Sequence, residues 1–135
     1  PIDNEQMAAV LTWANNHIGD PYVFGANGPN AWDCSSFTQA AYARVGVTIP
    51  RTAGAQRNWL AAGNGFRVSP GQEQPGDLIF IDSYLGPNQI GHVMIIFDPA
   101  KHLTVEAGGT KVGNYDYQHR DQSSIREVWR VGATS

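Results

Sequence analysis

The chain has 135 residues, of which 41% are hydrophobic and 16% are charged, and this composition predicts one globular domain with a core of its own. Its net charge of −3 at pH 7 argues against binding to nucleic acid or to an anionic membrane surface. No apolar run approaches the roughly 20 residues that a bilayer span requires. The single cysteine excludes an internal disulfide and a multi-cysteine zinc site, and no two of the four histidines have helical ligand spacing, so we expect no metal.

The first residues of the chain indicate that it is part of a longer protein. The sequence begins at Pro1 rather than at methionine, and it lacks the basic segment and apolar run of a secretory signal. We therefore expect residues 1–135 to be a single domain excised from a longer protein whose targeting segment is missing.

Three helices are predicted in the first half of the chain, each with a capping residue before it and a glycine after it. The caps are Asp3, Asp33 and Thr52, and the glycines are Gly19, Gly46 and Gly63. The helices are predicted to end near Ile18, Arg44 and Ala61. Asp3 and Gln6 form a capping box, and Cys34 falls in the first turn of the second helix.

Four strands are predicted in the second half, from runs of β-branched and aromatic residues between turn signals. They are Leu78–Ile81, His92–Phe97, Leu103–Ala107 and Ile125–Val131. The second strand is apolar on both faces and should be central, and the third is its hairpin partner. The stretch from Val112 to Gln122 is polar and poorly periodic. Because helices precede strands that short turns connect, the fold is predicted to be α+β, with N-terminal helices packed on a central antiparallel sheet.

Cys34 is the candidate nucleophile because of its position at a helix start. Backbone N–H groups and the positive end of the helix dipole favour an anion there, and a thiolate is an anion. Such a position makes a cysteine more reactive. The alternative is that Cys34 is a small buried hydrophobic residue, and its position alone leaves both interpretations open.

His92 is the candidate base for such a nucleophile, because histidine titrates near neutral pH. Alternation along the central strand puts it on the same face as Met94 and Ile96. A cysteine helix packed on that face would bring Cys34 to it, whereas the alternative is a structural histidine at a strand edge. The other three histidines lie at a helix end, in a hairpin turn and in a polar loop: His17, His102 and His119.

Glu106 is the candidate for orienting that base. It lies on the hairpin partner of the His92 strand and points to the face opposite Val105 and Ala107. A carboxylate there could accept a hydrogen bond from the His92 ring and hold its tautomer. The alternative is an ordinary exposed carboxylate on the sheet.

Two further side chains near the cysteine are open to more than one interpretation. Tyr22 follows a proline shortly before a glycine-rich loop, and it could pack against the core or bring its hydroxyl near Cys34. Arg51 could bind an acidic ligand group, but a solvated linker residue is the favoured interpretation.

Five short motifs follow one another in a fixed order and with consistent spacing. They are Tyr22-Val23-Phe24-Gly25, Asp33-Cys34-Ser35, Pro50-Arg51, the run from Gln74 to Phe80, and Gly91-His92-Val93. In this order the chain resembles the NlpC-type cell-wall peptidases, a papain-like family of cysteine endopeptidases, over roughly residues 20 to 110. Ala26 and Ser36 stand where the family commonly has glycine, which bears on the fit of the substrate loop.

The resemblance implies a papain-like fold, with Cys34 as nucleophile, His92 as base and Glu106 as the third polar residue, and it requires no cofactor. By position it also implies that Tyr22, Asp33 and Ser35 bind the substrate. With these residues the chain would be a catalytic domain. The resemblance further implies that N–H groups at the helix start hold the oxyanion.

The substrate that the resemblance implies is the peptidoglycan stem peptide, cut between D-γ-glutamate and diaminopimelate. The protein would be a monomer that is secreted to the cell wall or periplasm and binds neither nucleic acid nor membrane. Two alternatives stay open: a non-catalytic domain that binds peptidoglycan peptides in the same groove, and an acyltransferase or amidase on the same scaffold.

Overall fold

The helices and strands follow the predicted order, helices first. The structure is a computed structural model, and it describes residues 2–82, 89–118 and 126–132. Within these ranges the helices are α1 (Asn4–Asn16), α2 (Cys34–Ala43) and α3 (Ala53–Trp59), and α3 continues into a π-helical turn at Leu60–Asn64. The strands are β1 (Gly65–Arg67), β2 (Leu78–Asp82), β3 (Ile90–Asp98), β4 (Leu103–Gly108), β5 (Lys111–Gly113) and β6 (Arg126–Val131).

The strands form one sheet in the order β1-β6-β2-β3-β4-β5, and every pair of neighbours is antiparallel. The predicted α+β class with an antiparallel sheet is thereby confirmed. β3 lies inside the sheet between β2 and β4, as its two apolar faces predicted. The β3–β4 hairpin pairs Ile95 with Val105 and Ile96 with Thr104.

Burial follows the alternation of side chains along β3. Val93 and Ile95 are fully buried in the same cluster as Phe37 of α2, so this face of the sheet is covered by the helices. Met94 and Ile96 are fully buried in a second cluster on the other face. Each such side chain contributes about 1.5 to 3 kcal/mol by leaving water, so burial on both faces fixes the register of β3 and the position of α2 on it.

The structure differs from the prediction mainly at short elements and at element ends. α1 ends at Asn16 rather than at Ile18, and β3 begins at Ile90, two residues before His92. β1 and β5 were not predicted, because three residues are too few to show alternation. Part of the stretch from Val112 to Gln122 belongs to β5, while His119 and Ile125 lie outside the described residues. None of the helices in the described ranges is long and apolar enough to cross a bilayer.

Candidate active site

A reciprocal cap fixes the first turn of α2. Asp33 accepts a hydrogen bond from the Ser36 backbone N–H at 2.8 Å, and the Ser36 hydroxyl accepts one from the Asp33 N–H at 3.0 Å. This capping box makes Cys34 the first residue of the helix, at the positive end of its dipole. Ser36 stands where the resembled family commonly has glycine, and here its side chain stabilises the helix start.

Cys34, His92 and Glu106 lie together where the start of α2 meets the sheet. The Nε2 atom of His92 lies 3.4 Å from Oε2 of Glu106, and the ring interacts with the Cys34 side chain, which favours its charged form. Cys34 Sγ lies 3.9 Å from the backbone oxygen of Gly91. Glu106 is 1% exposed, so it is not the exposed carboxylate of the alternative interpretation. The structure thus brings the three residues together, while their catalytic roles stay a prediction.

The surroundings of His92 favour its protonated form. Burial alone would lower the pKa of the imidazole. Hydrogen bonds with Cys34 and Glu106, together with the negative charge of Glu106, outweigh burial and raise the pKa to about 9. At neutral pH the ring is therefore an imidazolium, which stabilises negative charge on the neighbouring sulfur and can donate a proton.

The cysteine helix packs on the face of the sheet opposite the one that alternation assigns to His92. Phe37 of α2 shares its cluster with Val93, whereas alternation puts His92 on the opposite face with Met94. The thiol and the imidazole meet because α2 begins beside the end of β3, where contact does not require a shared face. A bulge in β3 next to His92 redirects the strand at this point.

The thiol opens into a groove of about 540 Å³. The three residues that the resemblance implies in substrate binding, Tyr22, Asp33 and Ser35, all line this groove with Cys34. Tyr22 also packs against the core, as the first of its two interpretations has it, while a role of its hydroxyl near Cys34 stays a prediction. Phe24 also lines the groove, and its large apolar side chain is 70% exposed.

The favoured interpretation of Arg51 from the sequence, a solvated linker residue, was wrong. The Arg51 guanidinium forms a bidentate ion pair with Asp33, at 2.7 and 3.1 Å, on the wall of the groove. Burial alone would raise the pKa of Asp33, but hydrogen bonds from Arg51 and Ser36 hold it below its ordinary value. The Pro50-Arg51 motif was the signal for this residue, since it recurs in the resembled family.

Gln56 was not identified from the sequence as a residue that supports the site. It is fully buried on α3, where its amide donates to the backbone oxygens of Ser35 at 2.9 Å and Pro50 at 3.0 Å. Its own oxygen accepts from the Thr38 hydroxyl at 2.8 Å. Gln56 therefore joins the first turns of α2 to the segment that carries Arg51. No local pattern distinguishes it from an ordinary polar helix residue.

A second groove, of about 570 Å³, lies between α1 and the edge of the sheet. The charged residues that line it, Asp77 and Arg130, bond each other at 2.8 Å, and its lining contains no cysteine, serine or histidine. In the described ranges no group of three His, Cys, Asp or Glu side chains could hold a metal ion. The groove that contains Cys34 is therefore the candidate active site.

Together, an antiparallel α+β fold and a largely buried Cys-His-Glu cluster beside a groove define the class of papain-like domains. The chain belongs to the NlpC/P60 family, whose model matches residues 19–129. The resemblance drawn from the sequence is thereby confirmed. The chain is 37% identical over 106 residues to the probable endopeptidase p60 of Listeria innocua, and this match covers 78% of the chain. It spans about a fifth of the length of such relatives, since the match covers 21% of that protein.

Solved structures agree with this assignment. The peptidoglycan hydrolase RipB of Mycobacterium tuberculosis superposes with a TM-score of 0.74 at 28% identity, covering 93% of this chain and 64% of RipB. RipD of the same organism, described as a non-catalytic NlpC/p60 domain protein adapted to peptidoglycan binding, gives a TM-score of 0.76. Its identity is 22%, with 96% of this chain and 99% of RipD covered, so this likeness concerns the fold alone.

Proposed function

We propose that this chain is a peptidoglycan-hydrolysing cysteine endopeptidase that cuts stem peptides between D-γ-glutamate and diaminopimelate. The observation that carries the proposal is the position of Cys34 Sγ, 3.9 Å from the backbone oxygen of Gly91, next to a His92 ring whose Nε2 lies 3.4 Å from Glu106 Oε2. Family membership and the resemblance to a peptidoglycan hydrolase support the substrate class. The proposed protein is secreted, acts as a monomer and needs no cofactor.

In the acylation step the Cys34 thiolate attacks the γ-carbonyl carbon of the glutamyl residue and forms a C–S bond. The negative charge that develops on the carbonyl oxygen faces the N–H groups at the start of α2, including that of Cys34. The His92 imidazolium then gives its proton to the leaving amine of diaminopimelate, and the C–N bond breaks. The product is a thioester on Cys34 and a neutral imidazole.

Deacylation returns the enzyme to its starting state. Neutral His92 takes a proton from a water molecule, whose oxygen attacks the thioester carbonyl carbon. The C–S bond breaks, the thiolate leaves, and the γ-carboxyl group of the glutamyl product is released, losing the second proton of the water molecule to solvent. Glu106 stabilises the imidazolium in both steps and holds the ring in one orientation.

The experiment that tests this function is mass spectrometry of purified peptidoglycan and of a synthetic stem tetrapeptide after incubation with the chain. The matched control is Cys34→Ala, which removes only the sulfur. Release of L-Ala-γ-D-Glu by the parent alone would support both the activity and the bond. Binding without a product from either protein would instead support the non-catalytic domain. An acyl group transferred to an amine, or a different fragment, would support the acyltransferase or amidase alternative.

Iodoacetamide provides a second, substrate-free test of the nucleophile. Cys34 beside an imidazolium should be alkylated near neutral pH, at a rate that falls in His92→Gln because the positive partner is lost. Equal rates in the two proteins would contradict the pairing of thiol and imidazole.

A further inference from the structure

The guanidinium of Arg51 uses all of its donors within the protein. Arginine carries five N–H groups in a planar fork. Here they donate to five acceptors: Asn27 Oδ1, Ala26 O at 3.2 Å, Asp33 Oδ1 at 3.1 Å, Asp33 Oδ2 at 2.7 Å and Ser35 Oγ at 2.8 Å. A ligand anion could bind Arg51 only by displacing one of these partners. Arg51 is therefore built to hold protein groups rather than to take a ligand itself.

These partners belong to separate segments at or next to the groove. Ala26 and Asn27 lie in the loop before α2, Asp33 is the cap of that helix, and Ser35 lies in its first turn. The Arg51 side chain is 33% exposed and that of Asp33 is 13% exposed, so the pair is partly shielded from water. In such a place a bidentate charged pair is stronger than an exposed one and has a defined geometry.

The hydrogen bonds to Arg51 also determine which donors and acceptors of Asp33 and Ser35 remain for a ligand in the groove. The Ser35 hydroxyl oxygen accepts from Arg51, so its own hydrogen points elsewhere, and its bond to Asp33 Oδ1 is long, at 3.4 Å. Asp33 Oδ1 accepts from Arg51, Ser35 and Ser36. Within the described residues the Oδ2 atom accepts from Arg51, and a carboxylate oxygen can accept two bonds. The pair can therefore offer a ligand one acceptor, on Asp33, whereas the Ser35 hydroxyl could donate to a ligand only by giving up its long bond to Asp33 Oδ1.

We propose that Arg51 is a positioning residue for ligand binding, which holds Asp33, with Ser35 fixed beside it, so that the Asp33 carboxylate receives an N–H group of a bound peptide. The identity of that peptide as a peptidoglycan stem peptide rests on the function proposed above. Arg51 does not act on the reacting atoms. Its loss should weaken binding and leave the thiol chemistry in place.

The test compares Arg51→Lys with Arg57→Lys. Lysine keeps the charge but cannot reach five acceptors in a fork. Arg57 is a matched control because it pairs through Nε and Nη2 with both oxygens of Glu127, is 30% exposed, and lies outside the lining of the groove. We expect Arg51→Lys to raise KM for the stem tetrapeptide about tenfold, since charged hydrogen bonds are disturbed, with kcat within about twofold of the parent. Arg57→Lys should change neither constant.

Binding of the tetrapeptide is also measured by calorimetry on the inactive Cys34→Ala background, with and without Arg51→Lys. A similar tenfold rise in Kd and an unchanged rate of Cys34 alkylation in Arg51→Lys would support the positioning role. Unchanged KM and Kd would overturn it while leaving the proposed function intact. A fall in kcat and in alkylation with constant KM would also overturn it, because Arg51 would then serve the nucleophile. A parent chain that neither cleaves nor binds the peptide would overturn both proposals.

Discussion

Glu106 places a fully buried carboxylate beside the ring of His92, with Oε2 of the one lying 3.4 Å from Nε2 of the other. A buried carboxylate is costly unless a positive partner compensates it, so each of these residues depends on the other. The carboxylate is the counter-ion of the imidazolium, and the imidazolium offsets the free-energy cost of burying the carboxylate.

Replacement of Glu106 by glutamine should lower the pKa of His92 from about 9 toward its ordinary value near 6.5, because a neutral amide no longer favours the charged ring. An NMR titration of the ring nitrogens in parent and variant measures this directly. Glutamine can still accept a hydrogen bond, so kcat/KM should fall by only about tenfold, less than on loss of the base. An unchanged titration curve would show that Glu106 does not determine the charge of the ring.

Replacement of His92 should abolish turnover, with a loss of at least about 10² to 10⁴-fold in kcat, because the group that moves the proton is removed. His92→Ala would also remove the imidazolium that faces the buried Glu106 carboxylate, which costs stability. His92→Gln is the better variant, since its amide can still donate to Glu106 while it cannot serve as a base. Turnover at the parent rate by a folded His92→Gln protein would show that another residue is the base.

The free energy of unfolding should fall between about pH 6.5 and pH 9 more steeply in the parent than in Glu106→Gln. The folded-state pKa of His92 is raised, so its protonation stabilises the fold fully below the unfolded pKa near 6.5, and this contribution is lost as the pH rises through about 9. Urea unfolding of both proteins across this window tests the sign, since other titrating groups are shared. Parallel curves would contradict the linkage.

Gly28→Ala should destabilise the loop before α2 for two reasons. Gly28 has a φ of +80°, and a Cβ atom there would overlap the Trp32 indole. The strained backbone costs about 1 to 2 kcal/mol and the overlap about 1 to 3 kcal/mol more. Gly71→Ala is the control, because Gly71 has a φ of +85° and open space around it. Chemical denaturation that gives equal losses for the two variants would show that contact with Trp32 is not limiting.

The sequence predicted the long elements and the cap of α2, because those signals are local. Asp33 and its cysteine could be placed at a helix start from neighbouring residues alone, and the apolar run of β3 indicated a central strand. The bonds of Arg51 could not be predicted in this way, since they join residues 16 to 25 positions apart in the chain. The face on which α2 packs depends likewise on how the chain crosses the sheet. The alternation that puts His92 on the same face as Met94 therefore could not determine where α2 packs.

Asp33 has two tasks that cannot be separated by mutation. The same carboxylate caps the helix that carries Cys34 and, through Arg51, forms part of the groove wall. A change at this position that altered selectivity would also loosen the start of the helix and displace the thiol. Variation of selectivity would disturb the helix start less at a groove residue outside the capping box of α2, and Phe24, which is 70% exposed on the groove, is such a residue.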